Sequence, residues 1–287
     1  MTDFFQLAVN GILLGGFYAL LGVGMTMIFG IVGLTNLAHG EFVILGAYAS
    51  TMLAVRIGVD PILTLIVTVP LMFLAGWLIQ RMLINRVMDK GSEPALLVTF
   101  GLSIILQDAQ LLLFSADAQH AFTSWSLNTL HIGGLDISLL NVVLFAISAL
   151  CLAVLTWFLE KTDTGRAIRA VSDDAHAAML SGISVRGIYA VAMGLSMATA
   201  AVGGLCVGLK WTFHPSSGGD YLLISFIVVV IGCMGSVPGT FLAGLAFGLA
   251  QVFGGASYGM LISYLALLVI LAVRPGGLLG REGGKTA

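Results

Sequence analysis

Two groups of polar side chains sit inside apolar runs, where any chemistry they do is chemistry in a membrane. Asn36, His39 and Glu41 fall together in the stretch NLAHGEF, and Gln107, Asp108 and Gln110 in LQDAQ. A carboxylate in contact with lipid is costly unless it pairs or faces a cavity. His39 and Glu41 can pair with each other, or satisfy backbone groups freed by a helix break at Gly33 and Gly40; a break at the cytoplasmic surface would leave them simply solvated. A structural or gating role suits this cluster better than direct substrate contact. An isolated Asp108 would cost about 2.5–3.5 kcal/mol on the insertion scale, so it is expected to face another helix or the pore. There it can pair with a residue of another chain or recognise a cationic group on a substrate. Read as ion sites, Glu41 and Asp108 would serve a secondary transporter that couples uptake of a small solute to protons or sodium.

The third polar region is an island at 160–186, EKTDTGRAIRAVSDDAHAAMLSGISVR, the one long charged segment of the chain. Thr162, Asp163 and Thr164 are helix-capping types and Gly182 is a helix stop. Between them Ile168, Val171, Ala175, Ala178 and Met179 recur at helical spacing, with Arg166, Arg169, Asp173 and His176 towards the other side. The spacing predicts one amphipathic helix of about four or five turns. Its apolar face is small, which suits a groove on a soluble partner; a helix lying on lipid favours Trp, Phe and Leu. A surface-lying helix and a plain connector are the alternatives.

Catalysis within the chain is not expected. The terminal Gly-Gly-Lys-Thr has Leu279 where the first glycine of a phosphate-binding loop belongs, and no strand precedes it. No zincin, nucleophile-elbow or dinucleotide-binding pattern occurs, which argues against an intramembrane enzyme. Cys151, Cys206 and Cys233 lie in apolar segments without metal-ligand spacing and read as packing residues. His120, His131 and His214 fall in external loops as solvated side chains, and no metal site is expected.

The elements that must hold these groups follow from composition. Of 287 residues 59% are hydrophobic and only 9% charged, far too few charges to cover a soluble domain. Apolar runs at 4–29, 37–57, 61–84, 94–114, 139–159, 187–211, 221–235, 239–253 and 258–273 mark a polytopic all-α membrane protein. Ser236, Val237 and Pro238 separate the seventh and eighth runs, which are either two crossings or a re-entrant pair. Ten of the 12 Lys and Arg residues lie in three regions: Arg81, Arg86 and Lys90; Lys161, Arg166, Arg169 and Arg186; Arg274, Arg281 and Lys285. The break at 115–138 has none, so the basic regions are cytoplasmic and that loop external. Nine crossings would leave the N-terminus outside and the C-terminus inside. No soluble domain is evident, so an ATPase or binding domain is expected on separate chains. Glycine pairs at Gly11/Gly15, Gly204/Gly208 and Gly244/Gly248 are expected to pack helices closely within the chain.

The island resembles the cytoplasmic coupling segment of ABC importer permeases, whose motif is Glu-Ala-Ala, three residues, then Gly. His176, Ala177, Ala178 and Gly182 take those positions, with histidine in place of the acid and the usual Ile-x-Leu-Pro ending absent. More specifically, TGRAIRAVSDDAHAAMLSGISV at 164–185 resembles the form found in branched-chain amino acid (hydrophobic amino acid uptake) permeases. So do GMTMIFGIVGLTNLAHGEF at 24–42, VVVIGCMGSVPGTFLAG at 228–244 and LAVRPGGLLG at 271–280. The four matches span nearly the whole chain in the family's order. NLAHGEF and RPGGLLG favour this family over sugar-type or vitamin-type permeases.

The resemblance implies a single transmembrane permease domain over 1–287 with an ABC importer permease fold of about eight or nine transmembrane or re-entrant helices, and a coupling loop at 160–186. It implies the shorter of two paired permeases in a bacterial inner membrane, surrounded by membrane lipid. The implied partners are a second permease in a heterodimer, two cytoplasmic ATPases carrying ATP and Mg, and an extracytoplasmic solute-binding protein. No cofactor in this chain and no nucleic acid are implied. Relatives carry branched-chain amino acids, urea, amides or small aromatic or carboxylic acids. The coupling positions carried over are Gly165, Arg166, Arg169, Asp173, Ala177, Ala178 and Gly182: backbone turns for the glycines, close packing for the alanines, polar contacts for the rest. Asn36, His39, Glu41, Gln107 and Asp108 are the candidates for the path or its gate.

Overall fold

A computed structural model describes residues 2–88, 91–132 and 134–273. Lys90, Arg274, Arg281, Lys285, the RPGGLLG stretch from Arg274 onward and the Gly-Gly-Lys-Thr tail lie outside the described residues. Apolar runs with internally bonded backbones become helices, the form in which a single chain segment satisfies itself in lipid. They are α1 (Thr2–Val32), α2 (His39–Ile57), α3 (Leu65–Ile79), the short α4 (Asn85–Val87), α5 (Ser92–Phe114), α6 (Leu139–Lys161), α7 (Asp163–Asp173), α8 (Ala175–Leu180), α9 (Val185–Lys210), α10 (Gly218–Gly232) and α11 (Val237–Val273). Among the described residues eight helical segments are long and apolar enough to cross a membrane. The seventh and eighth runs, Pro215–Gly232 and Val237–Gly255, are each among them. The ninth run is the second half of α11: at Gly255 (φ 66°, ψ −176°) the helix breaks, and Gly259 packs back against Gln251.

α1 is the central post and packs on α6, α9, α10 and α11, while α2 and α3 lie against α9. The centre is mostly buried; α3, α5 and α6 stand at the periphery with apolar faces exposed. The small-residue pairs work inside the chain. Side chains at Gly11 or Gly15 would overlap α11 at Leu249 and Leu245, and one at Gly244 would overlap Ala19. Close backbone approach of this kind is how helices gain contact area in lipid.

One end of the bundle carries a two-stranded antiparallel hairpin, β1 (Thr129–Ile132) and β2 (Leu135–Ser138), in register Thr129↔Ser138. The carbonyl of Asp136 accepts from Gln6 at 2.6 Å, and Trp125 donates to the Asp60 carboxylate at 2.9 Å. The N-terminus, the α2–α3 turn and the 115–138 loop therefore share that end. The opposite end carries α7 and α8 with Arg86 of α4, Arg166 and Arg169 of α7 and Arg186 at the start of α9, so by the positive-inside rule it is cytoplasmic. A cysteine at His176 is expected to react with an impermeant maleimide only from the cytoplasm, and one at Asp117 only from outside. The reverse pattern would invert this topology.

Candidate functional site

The island is not one helix but two. Thr162 caps α7, its hydroxyl accepting the Gly165 N–H at 3.0 Å. The chain then breaks at Asp174, whose carboxylate accepts the N–H groups of His176 and Ala177 at 2.9 and 3.0 Å and starts α8. A capping acid in mid-pattern stops one helix and begins the next because its side chain replaces the missing intrahelical acceptors. Gly182 ends α8 with φ 85°, where an L side chain is strained, and Ile183 N–H closes on the Ala178 carbonyl at 3.1 Å. The turn expected at Gly182 is present. The turn expected at Gly165 is not: Gly165 is helical, and it is glycine because any Cβ would overlap the carbonyls of Phe158 and Leu159 at the end of α6.

Ile168 and Val171, each 2% exposed, and Ala178 at 5% press the pair of helices onto the bundle, and the Ser172 hydroxyl donates to the Gly30 carbonyl at 2.6 Å. Arg166 pairs with Asp163, and Arg169 reaches the Glu160 carbonyl at 3.4 Å; both arginines, Asp173, His176 and Ala177 are exposed. The two alanines thus part company, Ala178 packing inside and Ala177 facing out. Met179, expected on the inward face, is 54% exposed, and Leu180 beside it 76%. The outward surface is therefore mixed: an apolar tip at Met179 and Leu180 beside charged α7. Asp174 was the sequence signal for this split, since a capping residue inside a helical pattern offsets the two faces.

The second site is a buried polar centre. The chain leaves α1 at Gly33 and re-enters the protein, so that α2 begins at His39 beside Leu21. Leu21 lies about 22 Å along α1 from Gln6 and about 14 Å from Gly30, at 1.5 Å per residue. Residues 33–38 are therefore irregular backbone at membrane depth, tolerated because protein surrounds them. Asn36 and His39 are fully buried and Glu41 is 4% exposed, which excludes solvation. Asn36 Oδ1 accepts the Ala38 N–H at 3.1 Å, and Leu37 N–H donates to the Thr99 hydroxyl at 3.3 Å. His39 Nε2 donates to the Leu21 carbonyl at 3.2 Å.

His39 and Glu41 do not pair, and the freed backbone at a Gly40 break is not their partner either. Gly40 lies within α2, and it is glycine because a Cβ would overlap the Gly218 carbonyl of α10. Reciprocally, the Glu41 carboxylate fills the space a Gly218 side chain would need. Gln110, not Gln107 or Asp108, reaches this centre and donates to the Glu41 carbonyl at 3.3 Å. His39 Nδ1, Glu41 Oε2, Gln110 Oε1 and Ser196 Oγ are buried without a hydrogen-bond partner. Buried polar atoms without a partner are uncommon in folded proteins. Thr99 and Ser196 carried no sequence signal, because hydroxyl residues are common throughout membrane helices.

Gln107 is half-buried and Asp108 exposed, in a stripe of α5 that includes Leu97, Phe100, Ile104 and Leu111. At the external end a cavity of about 650 Å³ opens between α1, α10 and α11, lined by Tyr18, Lys210, Asp220, Tyr221, Ile224 and Gln251 among others. Tyr18 donates to Gln251, and Lys210 to Asn141 at 2.5 Å. Lys210 was one of two cations outside the cytoplasmic regions, which was the available clue to this cavity.

Along almost its whole length the chain is similar to known proteins. The family described as branched-chain amino acid transport system / permease component matches residues 7–273. The high-affinity branched-chain amino acid transport system permease protein BraD of Pseudomonas aeruginosa is 32% identical over 97% of this chain and 96% of its own length. Permease protein LivH of Escherichia coli K12, of the same description, is 30% identical with the same coverage. The ribose import permease protein RbsC of Haemophilus influenzae is 24% identical over 92% of this chain and 83% of its own. No solved structure matches. A predominantly helical, multi-pass chain matched along almost its entire length in this way belongs to the branched-chain amino acid permease family, as an inner-membrane transport subunit of ABC importers and not an enzyme.

Proposed function

We propose that this permease imports a branched-chain amino acid or related small polar solute, as the shorter partner in a heterodimer of permeases. Two cytoplasmic ATPases, holding ATP and Mg, engage α7 and α8, and an extracytoplasmic binding protein delivers the solute. The observation that carries this reading is the island: two capped helices anchored from behind by Ile168, Val171 and Ala178, with Met179 and Leu180 exposed on the cytoplasmic side. Such a tip fits a groove on a soluble partner. Arg166, Arg169, Asp173 and Ala177 contribute the surrounding contacts, while Gly165 and Gly182 fix the position of the pair. The outer cavity supports the substrate class, since Lys210 and Asp220 offer opposite charges to a zwitterion and Ile224 and Val252 an apolar wall.

The deciding experiment reconstitutes the chain with its co-purifying subunits and follows leucine uptake. Uptake that needs ATP and survives a protonophore is expected. Uptake that follows an ion gradient without any ATPase would overturn the reading in favour of a secondary transporter.

For the path we assign gating to Asn36, His39 and Glu41, and a separate outward-facing contact to Gln107 and Asp108. A carboxylate on an exposed membrane-depth stripe avoids lipid only if a second subunit or the path covers it. Asp108→Leu is expected to lower uptake several-fold with membrane abundance unchanged or higher. Normal uptake in that variant would return this face to lipid.

A further inference from the structure

The external cavity, at about 650 Å³, has the size of a small-molecule site, for which about 300–1,000 Å³ is usual. Its rim is fixed. Gln119 N–H donates to the Phe213 carbonyl at 2.8 Å and Phe213 N–H to the Gln119 carbonyl at 3.0 Å, fastening the stretch after α9 to the external loop. On α1 the cavity ends at Tyr18, which donates to Gln251 of α11. Tyr18 lies one turn, about 4.5 Å along the axis, from Leu21, whose carbonyl meets His39 of the buried polar centre. The start of α10 divides the two: Ser217 and Asp220 line the cavity, while Gly218 between them faces the Glu41 carboxylate.

Among the described lining residues Lys210 is the one lysine or arginine and Asp220 the one carboxylate, and they do not bridge each other. Neutral groups hold the lysine. Its Nζ donates to Asn141 at 2.5 Å and stands 5.1 Å from the centroid of the Trp211 ring, which packs on Phe17. These contacts position the ammonium without neutralising it and leave N–H donors for a carboxylate. Asp220 is exposed in the first turn of α10, and its carboxylate pairs with no cation among the described residues. Leu14, Ile224 and Val252 add apolar wall. A ligand that answers all three features carries an anion, a cation and an apolar group, as a free α-amino acid with an apolar side chain does. Urea and amides bring neither charge, and a simple carboxylic acid brings one. A polar group covered by a ligand that cannot pair with it loses its water for nothing, so such a site discriminates strongly. We propose that the permease itself selects its solute in this cavity, with the α-carboxylate on Lys210, the α-ammonium on Asp220 and the side chain against Leu14, Ile224 and Val252. The proposal rests on the reading that the chain imports an amino acid. It adds a second selection step after delivery, on the permease, that passes free amino acids and turns away urea, amides and simple carboxylic acids.

The test uses the full-length protein purified with its co-purifying subunits but without a binding protein, so that bound solute sits on the membrane complex. Equilibrium dialysis measures radiolabelled leucine against three competitors: isoamylamine, which lacks the carboxylate, 4-methylpentanoate, which lacks the ammonium, and urea. Leucine is expected to bind saturably and each competitor at least about tenfold more weakly. Lys210→Met and Asp220→Asn are each expected to weaken leucine binding by about tenfold or more, and Lys210→Arg, which keeps the charge, to recover most of it. No saturable leucine binding, a one-charge competitor as strong as leucine, or undiminished binding in both variants overturns the site. Should the variants fail to assemble, photo-leucine on the wild-type protein decides: adducts on peptides containing Tyr18 or Ile224 are expected, and adducts confined elsewhere reject the site. Failure of the import reading is seen separately. Normal ATP-driven leucine uptake by both variants removes this site and leaves import standing, whereas wild-type leucine uptake that needs no ATP overturns import by an ABC transporter and leaves the dialysis result in force.

Discussion

Met179→Glu/Leu180→Glu is expected to strip the ATPase subunits from the protein and to reduce ATP-driven uptake at least tenfold, with membrane abundance unchanged. The two side chains are 54% and 76% exposed at the tip of α8, so the fold gains little from them. A partner groove that buries both would gain about 1.5–3 kcal/mol from each, and losing only half of that total weakens binding roughly tenfold or more. Glutamate adds the desolvation of two carboxylates. The helices themselves remain held by the Asp174 cap and the buried Ile168, Val171 and Ala178. Affinity purification followed by quantitative mass spectrometry reads the first effect, and proteoliposome uptake the second. Full ATPase recovery with normal uptake would remove the apolar tip from the coupling role and leave the charged face of α7 as its only candidate.

Gly40→Val is expected to abolish the folded protein. A Cβ at position 40 would overlap the Gly218 carbonyl and crowd the Leu222 nitrogen at 2.8 Å, and both neighbours are backbone of α10. Backbone cannot swing aside as a long side chain does, so α2 and α10 must separate, and the Glu41 carboxylate beside Gly218 loses its place. Overpacking a tight core generally costs about 1–3 kcal/mol, and this contact also organises the polar centre. The matched control is Gly101→Ala in α5, where the added methyl meets nothing within 4 Å. Membrane abundance and a monodisperse chromatographic profile are expected to survive that change and to be lost in Gly40→Val. Normal abundance of Gly40→Val would mean that α2 and α10 can separate at little cost to the fold.

Much of the outline was legible because lipid leaves the chain few options. A run such as 139–159 has to be a helix, and in the structure it is one, α6, which starts at the same residue and ends two residues later. The cation count placed the island on one side and the 115–138 loop on the other without reference to any contact. Gly182 was legible too, since a glycine after a helical pattern has one common use, the left-handed turn found there. The hairpin inside the external loop has a weak sequence signal, because strands of only four residues leave little periodicity to read.

The island marks where local reading ran short. Treated as one helix it placed Met179 inward; two helices with Asp174 between them turn Met179 outward. The error was angular: each helix has its own axis, and periodicity carried across a break no longer describes a face. The same limit applied to Gly165 and Gly40. Residue type alone suggests a backbone bend at both, yet each sits in regular helix and is small because another backbone passes close by.

By itself, then, the sequence determined what every segment must satisfy alone: which runs are membrane helices, which side carries the cations, and to which family the order of motifs belongs. Only the tertiary structure decided which side chains meet. It brought Gln110 of α5 to Glu41 of α2 and turned Asp108, two residues earlier, away from both. It also kept His39 and Glu41 apart although they are neighbours in sequence. The physical reason is that lipid acts on each residue singly, through hydropathy, whereas a polar contact depends on helix rotation and depth. Those are set by packing across the bundle, where glycines such as Gly40 and Gly218 let two backbones touch.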